Sequence, residues 1–131
     1  MRPQPRILIV EDEDVLAENL KDFLGRYSPD VRTAPDGEQA LEMLNWFTPD
    51  VVVMDYGLPG IDGLDAYAEM VRRHGPGIGC VMITGHAAEG MAEYAGARGI
   101  RHLLRKPFSL TELQREIDAT ALELIGDLPG S

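Results

Sequence analysis

The sequence predicts an α/β fold, a (βα)5 doubly wound sandwich on a five-stranded parallel sheet in the order 2-1-3-4-5. Two observations predict it. Short apolar runs rich in β-branched residues recur at Ile7-Leu8-Ile9-Val10, Val51-Val52-Val53-Met54 and Cys80-Val81-Met82-Ile83. Their hydrophobicity is continuous rather than alternating, so both faces are covered, as in central parallel strands. Between the runs, apolar residues repeat at helical spacing, and strands that alternate with helices form βαβ units with right-handed crossovers.

In chain order, the first run is followed by Val15, Leu16, Leu20, Phe23 and Leu24, a helical stripe expected to pack on the sheet. Val31-Arg32-Thr33-Ala34 is a more polar strand, suited to a sheet edge. Asp36-x-x-Gln39 opens a second helix through Ala40, Leu41, Leu44 and Phe47. The third helix, residues 64–73, stops at His74-Gly75-Pro76. The fourth, residues 87–95, contains Gly90 and precedes Gly96 and Gly99, which makes it the weakest. His102-Leu103-Leu104-Arg105 is the fifth strand. The capping box Ser109-Leu110-Thr111-Glu112 starts the last helix, whose stripe is Leu110, Leu113, Ile117, Ala121 and Leu124. One domain is expected over residues 6–125, with an N-terminal extension at 1–5 and a tail or linker stub at 126–131.

The 131 residues hold 22 Asp plus Glu against 12 Lys plus Arg, a net charge of −10. That field repels phosphate backbones and anionic lipid, so direct binding of nucleic acid or a membrane surface is not expected. A single cysteine, Cys80, leaves no internal disulfide, and no Cys/His cluster suits zinc. A reducing, cytoplasmic setting fits, and no apolar run is long enough for a membrane span.

In such sheets ligands sit beyond the carboxyl ends of the strands, where the order reverses. The residues leaving those ends are Glu11 and Asp12, Asp55, Thr84 and Lys106. Carboxylates about 5 Å apart repel by roughly 3 kcal/mol per pair at an effective dielectric near 20, and a divalent cation would relieve this. Oxygen-only ligands favour Mg2+. Asp55 then has a free oxygen able to attack phosphorus, with Lys106 and Thr84 available to neutralise phosphoryl oxygens, and an aspartyl phosphate is the expected product.

The segments Ile7-Leu8-Ile9-Val10-Glu11-Asp12-Glu13, Val53-Met54-Asp55-Tyr56-Gly57-Leu58-Pro59-Gly60-Ile61-Asp62-Gly63, Ile83-Thr84-Gly85 and Lys106-Pro107-Phe108 resemble receiver domains of two-component response regulators, with their flavodoxin-like, CheY-like fold. The resemblance covers residues 6 to about 125. It implies Asp55 as phosphoacceptor, Asp12 as a direct Mg2+ ligand, Glu11 acting through water, and Gly57 giving its backbone carbonyl to the metal. Thr84 and Lys106 match the family's hydroxyl and lysine, Pro107 would follow a cis bond, and the Tyr56 and Gly85 amides would complete the phosphoryl cradle. The implied donor is a sensor histidine kinase or a histidine phosphotransfer protein. The implied readout is an output domain or a target protein, and a phosphorylation-dependent homodimer is one form it can take. Leu103 departs from the family, which usually has an aromatic residue there, so more of the switch is expected in the segment from Gly85 to Gly96.

The alternative reading is a Mg2+-dependent phosphohydrolase of haloacid dehalogenase type, although those enzymes carry their nucleophile after the first strand. A flavin-binding electron carrier of similar topology would need a Ser/Thr-rich phosphate loop where Glu11-Asp12 stands. His86 and Tyr56 adjoin the expected pocket. Cys80 is expected as a core residue, Trp46 as a packing residue at the amino end of the third strand, and His74, His102, Glu112, Glu116 and Glu123 as solvated groups.

Overall fold

The computed structural model describes residues 4–85 and 91–126. Its elements are β1 (Ile7–Val10), α1 (Asp14–Leu24), β2 (Val31–Ala34), α2 (Gly37–Met43), β3 (Val51–Asp55), α3 (Gly63–His74), β4 (Gly79–Thr84), α4 (Met91–Gly96), β5 (His102–Arg105) and α5 (Leu110–Gly126). The strands form one parallel sheet in the order β2-β1-β3-β4-β5. That is the architecture the apolar runs predict. Among the described residues no helix is long and apolar enough to cross a membrane.

The continuous runs are explained by the period of two along a strand. Ile7, Ile9, Val51, Val53, Val81 and Ile83 pack with Leu20 and Leu24 of α1 and Leu113 and Ile117 of α5. The intervening Leu8, Val10, Val52, Met54, Cys80 and Met82 pack on the opposite layer with Ala40, Leu64 and Met70. Every residue of β1, β3 and β4 is buried, whereas β2 at the edge buries only Ala34. Cys80 behaves as a core residue, its thiol pushed up by complete burial.

Helix starts follow local chemistry. The Asp36 carboxylate accepts from the Gln39 amide at 2.8 Å, Asp62 from Asp65 at 2.9 Å, and the Ser109 hydroxyl from Glu112 at 3.0 Å. Three packing expectations need correction. Val15 is 76% exposed, because Ala17, Leu20 and Leu24 make the inner stripe of α1. Leu110, in the first turn of α5, is 40% exposed. α2 ends at Met43, and a tighter turn (Leu44 to Leu41, Asn45 to Glu42, Trp46 to Met43) carries the chain on. That turn buries Phe47 and leaves Trp46 61% exposed, with the Arg32 guanidinium 5.4 Å from its ring. Residues 86–90, which include His86, Gly90 and the expected start of the fourth helix, lie outside the described residues.

His102 is not solvated. It lies on the α5 side of β5 with its side chain 13% exposed, Nδ1 2.6 Å from Glu116 and Nε2 3.0 Å from Glu123. A neutral imidazole has one N–H, so only the imidazolium donates to both carboxylates. Burial works against the charge, but the two glutamates outweigh it and hold the pKa above the ordinary histidine range. Arg98 and Arg101, from the α4–β5 connection, line the same cavity. A pKa raised on folding stabilises fully below the unfolded value of about 6.5, and the effect fades as pH rises through the folded value. The melting temperature of the wild type minus that of His102→Gln should therefore be largest below about pH 6.5 and shrink as the pH rises above it. A difference that grows with pH would contradict the assignment.

Candidate functional site

Each strand delivers its terminal side chain to the carboxyl edge while its backbone stays in the ladder. Beyond β1, the Glu11 amide donates to the Ala34 carbonyl at 3.0 Å. This turns Glu11 inward, 3% exposed, and leaves Asp12 facing solvent. Asp55 closes β3 at 6% exposed and Thr84 closes β4 at 2%. Beyond β5, the Lys106 amide donates to the Thr84 carbonyl at 2.8 Å, and the Lys106–Pro107 peptide bond is cis.

The side chains converge. Lys106 Nζ lies 3.0 Å from Asp55 Oδ2 and 3.4 Å from Glu11 Oε1. Carboxylate oxygens of Glu11, Asp12 and Asp55 all lie within 4.8 Å of one another. The Gly57 amide donates to Asp55 Oδ1 at 2.9 Å. A cavity of about 430 Å³ opens among Asp12, Asp55, Gly57, Thr84, Gly85 and Lys106.

One ammonium does not neutralise three carboxylates. Burial, the hydrogen bond to Asp55 and the Asp55 charge push Glu11 up to about 8, with Lys106 opposing. Burial also raises Asp55, but hydrogen bonds from Glu11, the Gly57 amide and Lys106 outweigh it and leave its carboxyl below the usual range. Of the two carboxyls, Asp55 is therefore the more acidic and Glu11 the one with the raised proton affinity. Partial burial lowers Lys106, but Asp55 and Glu11 together hold it above the ordinary lysine value.

The sequence expected Tyr56 and Gly85 amides at this cavity. Both residues line it, and the Tyr56 amide donates to the Ile83 carbonyl at 2.8 Å, as the continuation of the β3–β4 ladder. The amide on the Asp55 carboxylate is that of Gly57, a residue to which the family resemblance assigns only a carbonyl role. Leu103 is partly buried against the α2/α3 core layer, and Pro107 lies at the other side of Lys106, exposed.

The family model of the response regulator receiver domain matches residues 7–118. The chain belongs to that family. Among curated relatives of this receiver domain, the transcriptional regulatory protein PdtaR of Mycobacterium tuberculosis is 34% identical over 109 residues, covering 82% of this chain and 52% of PdtaR. The Regulator of RpoS of Escherichia coli K12 is 35% identical over 114 residues, covering 86% of this chain and 33% of that protein. The receiver domain thus spans about half or less of the curated relatives it matches. Among solved structures, NtrX from Brucella abortus superposes with a TM-score of 0.84 at 30% identity, over 93% of this chain and 28% of NtrX. A CheY-like receiver domain from Methanospirillum hungatei shares the fold, with a TM-score of 0.81 at 22% identity over 95% of this chain and 99% of that one. The haloacid dehalogenase alternative has no support in these matches.

The site depends on a close approach at the start of α3. A methyl group on Gly63 would stand 2.6 Å from the Asp55 backbone oxygen and 3.0 Å from Met54 Cγ and Met82 Sδ. Backbone cannot yield as a flexible side chain does, so Gly63→Ala should destabilise the receiver domain by roughly 2–3 kcal/mol. Gly85→Ala, where an added Cβ meets nothing within 4 Å among the described residues, should cost far less. Urea denaturation of both variants checks this, and equal midpoints would refute it.

Proposed function

We propose that this receiver domain, over residues 6–125, accepts a phosphoryl group on Asp55 from a phosphohistidine in a Mg2+-dependent reaction, and that it works in the cytoplasm. The observation that carries the reading is the ionised, buried Asp55 at 3.0 Å from the Lys106 ammonium, inside a cluster of three carboxylates. The donor set fits the metal, since it is all oxygen and the Lys106 ammonium offsets its mutual repulsion only in part. Asp12, Asp55 and the Gly57 carbonyl would hold Mg2+ directly, with Glu11 acting through water. Bound there, Mg2+ would supply positive charge to the phosphoryl oxygens.

An Asp55 oxygen attacks phosphorus, a P–O bond forms, the donor's P–N bond breaks, and the departing imidazole nitrogen takes a proton from solvent. Lys106, the Thr84 hydroxyl and the Gly85 amide stabilise charge on the transferring group. The chain catalyses only this step and the later hydrolysis of the aspartyl phosphate, in which water takes the phosphoryl group as inorganic phosphate and Asp55 is restored, so it acts as a signalling domain rather than a turnover enzyme. Conformational change then passes through Leu103, Pro107 and the segment between Gly85 and Gly96 to an output domain, a target protein or a second copy of the chain. The domain itself does not contact nucleic acid, in keeping with its net charge of −10.

A groove of about 760 Å³ beside Lys106 supports a protein donor. It runs between α1 and the β5–α5 loop, lined by Leu16, Phe23, Pro107, Phe108 and Leu110. Apolar surface exposed at the mouth of an acidic site suits the helix that presents the phosphohistidine.

Asp55→Asn should fold normally and take up no phosphoryl group from acetyl phosphate with Mg2+, as read by intact-mass spectrometry. A stable phosphoryl adduct on the variant would overturn the assignment. Leu110→Asp places a carboxylate at a helix start that tolerates it. It should slow uptake from a phosphohistidine protein by roughly fivefold or more and leave uptake from acetyl phosphate unchanged. Equal rates with the protein donor would remove the groove from the account.

A further inference from the structure

The loop between β3 and α3, residues 56–62, is tied to the acidic cluster through the Gly57 amide on Asp55 Oδ1, and other contacts hold the rest of it. At its inner end the Gly63 amide donates to the Tyr56 carbonyl at 3.0 Å, and Leu58 is buried at 7% exposed. At its outer end the support comes from another element. Glu38, in the first turn of α2, accepts the Ile61 amide on Oε1 at 3.1 Å.

The neighbouring backbone is shaped around that contact. Gly60 has φ +76°, and a Cβ there would stand 2.6 Å and 3.0 Å from the two Glu38 carboxylate oxygens. The loop therefore turns through a left-handed conformation open to glycine and presses directly on the carboxylate. Next to Glu38, Gly37 leaves space that Ile61 fills, a Cβ on Gly37 lying 2.7 Å from Ile61 Cγ1. Asp36, Gly37 and Glu38 thus have different tasks: Asp36 caps α2, Gly37 admits Ile61, and Glu38 binds the Ile61 amide.

We propose that Glu38 is a positioning residue for Asp55 chemistry: its carboxylate braces the β3–α3 loop from outside and so fixes the Gly57 backbone against Asp55. Glu38 touches none of the reacting groups. It acts through the loop, by accepting on its side-chain oxygen the hydrogen bond that the Ile61 amide donates. The proposal rests on the phosphoacceptor reading for its consequence, but the brace itself is measurable without phosphorylation.

The test compares Glu38→Ala with Glu38→Gln in the full chain. Glutamine keeps a carbonyl acceptor and loses the charge. Hydrogen exchange in Mg2+-free buffer should show the Ile61 amide protected in the wild type and in Glu38→Gln, and exchanging roughly five- to tenfold faster in Glu38→Ala. Mg2+ titration should give an affinity roughly three- to tenfold weaker for Glu38→Ala and close to wild type for Glu38→Gln. At saturating Mg2+ the phosphorylation rate of Glu38→Ala should recover, which a general loss of folding would not allow. If Glu38→Gln loses Mg2+ affinity as fully as Glu38→Ala, charge at a distance is acting and the brace is refuted. Unchanged Ile61 exchange in Glu38→Ala refutes it as well. Failure of the wild type to take up any phosphoryl group would instead refute the phosphoacceptor reading, with the exchange result still standing.

Discussion

Asp55 is the last residue of a strand that is buried on both faces and paired on both edges, and the rest of the site depends on that placement. β3 lies between β1 and β4 in a fixed parallel register, with Val10 opposite Met54 and Asp55 opposite Ile83. The ladder continues past the strand ends through the Glu11, Tyr56 and Lys106 amides. Glu11, Asp55 and Lys106 are therefore aimed by the sheet, the stiffest part of the fold, and not by free loops. Shifting any strand by one residue would turn its terminal side chain to the other face.

That rigidity has an electrostatic consequence. The register forces three carboxylates together at a partly desolvated edge, and a single ammonium answers them. The excess shows as a raised proton affinity at Glu11, while the hydrogen bonds gathered by Asp55 keep its carboxyl more acidic than usual. Such a site costs stability, since the cluster gains nothing from burial without a compensating cation. The same physics has a different outcome at His102, where each ring nitrogen meets its own carboxylate and the pair of contacts fastens β5 to α5.

The layered fold and the residues at the strand ends were legible in the sequence because both depend on short-range rules. A run such as Ile7–Val10 must be covered twice, and the residue after it must leave the sheet at its carboxyl edge. Less was legible where tertiary geometry overrides periodicity. Trp46 and Phe47 are equally apolar neighbours, and only the tight turn after Met43 decides that Phe47 enters the core and Trp46 stays outside. Val15 falls on the helical stripe of α1, but Ala17 takes the inner position beside Leu20 and Leu24. His102 looked like a surface residue because its partners, Glu116 and Glu123, lie on the following helix, at separations no local pattern reports. The Tyr56 amide could not be assigned before the β3–β4 register was known, and the contact between Glu38 and Ile61 depends on a loop conformation set by Gly60.

The central claim is that the chain forms an acyl phosphate at Asp55, and its most direct test is chemical. Borohydride reduces an acyl phosphate to an alcohol and leaves free carboxylates intact, so a phosphorylated aspartate becomes homoserine. After treatment with acetyl phosphate and Mg2+, reduction and peptide mapping should find homoserine at position 55 and nowhere else. Homoserine at position 12, or a retained phosphoryl group that resists reduction, would contradict the account.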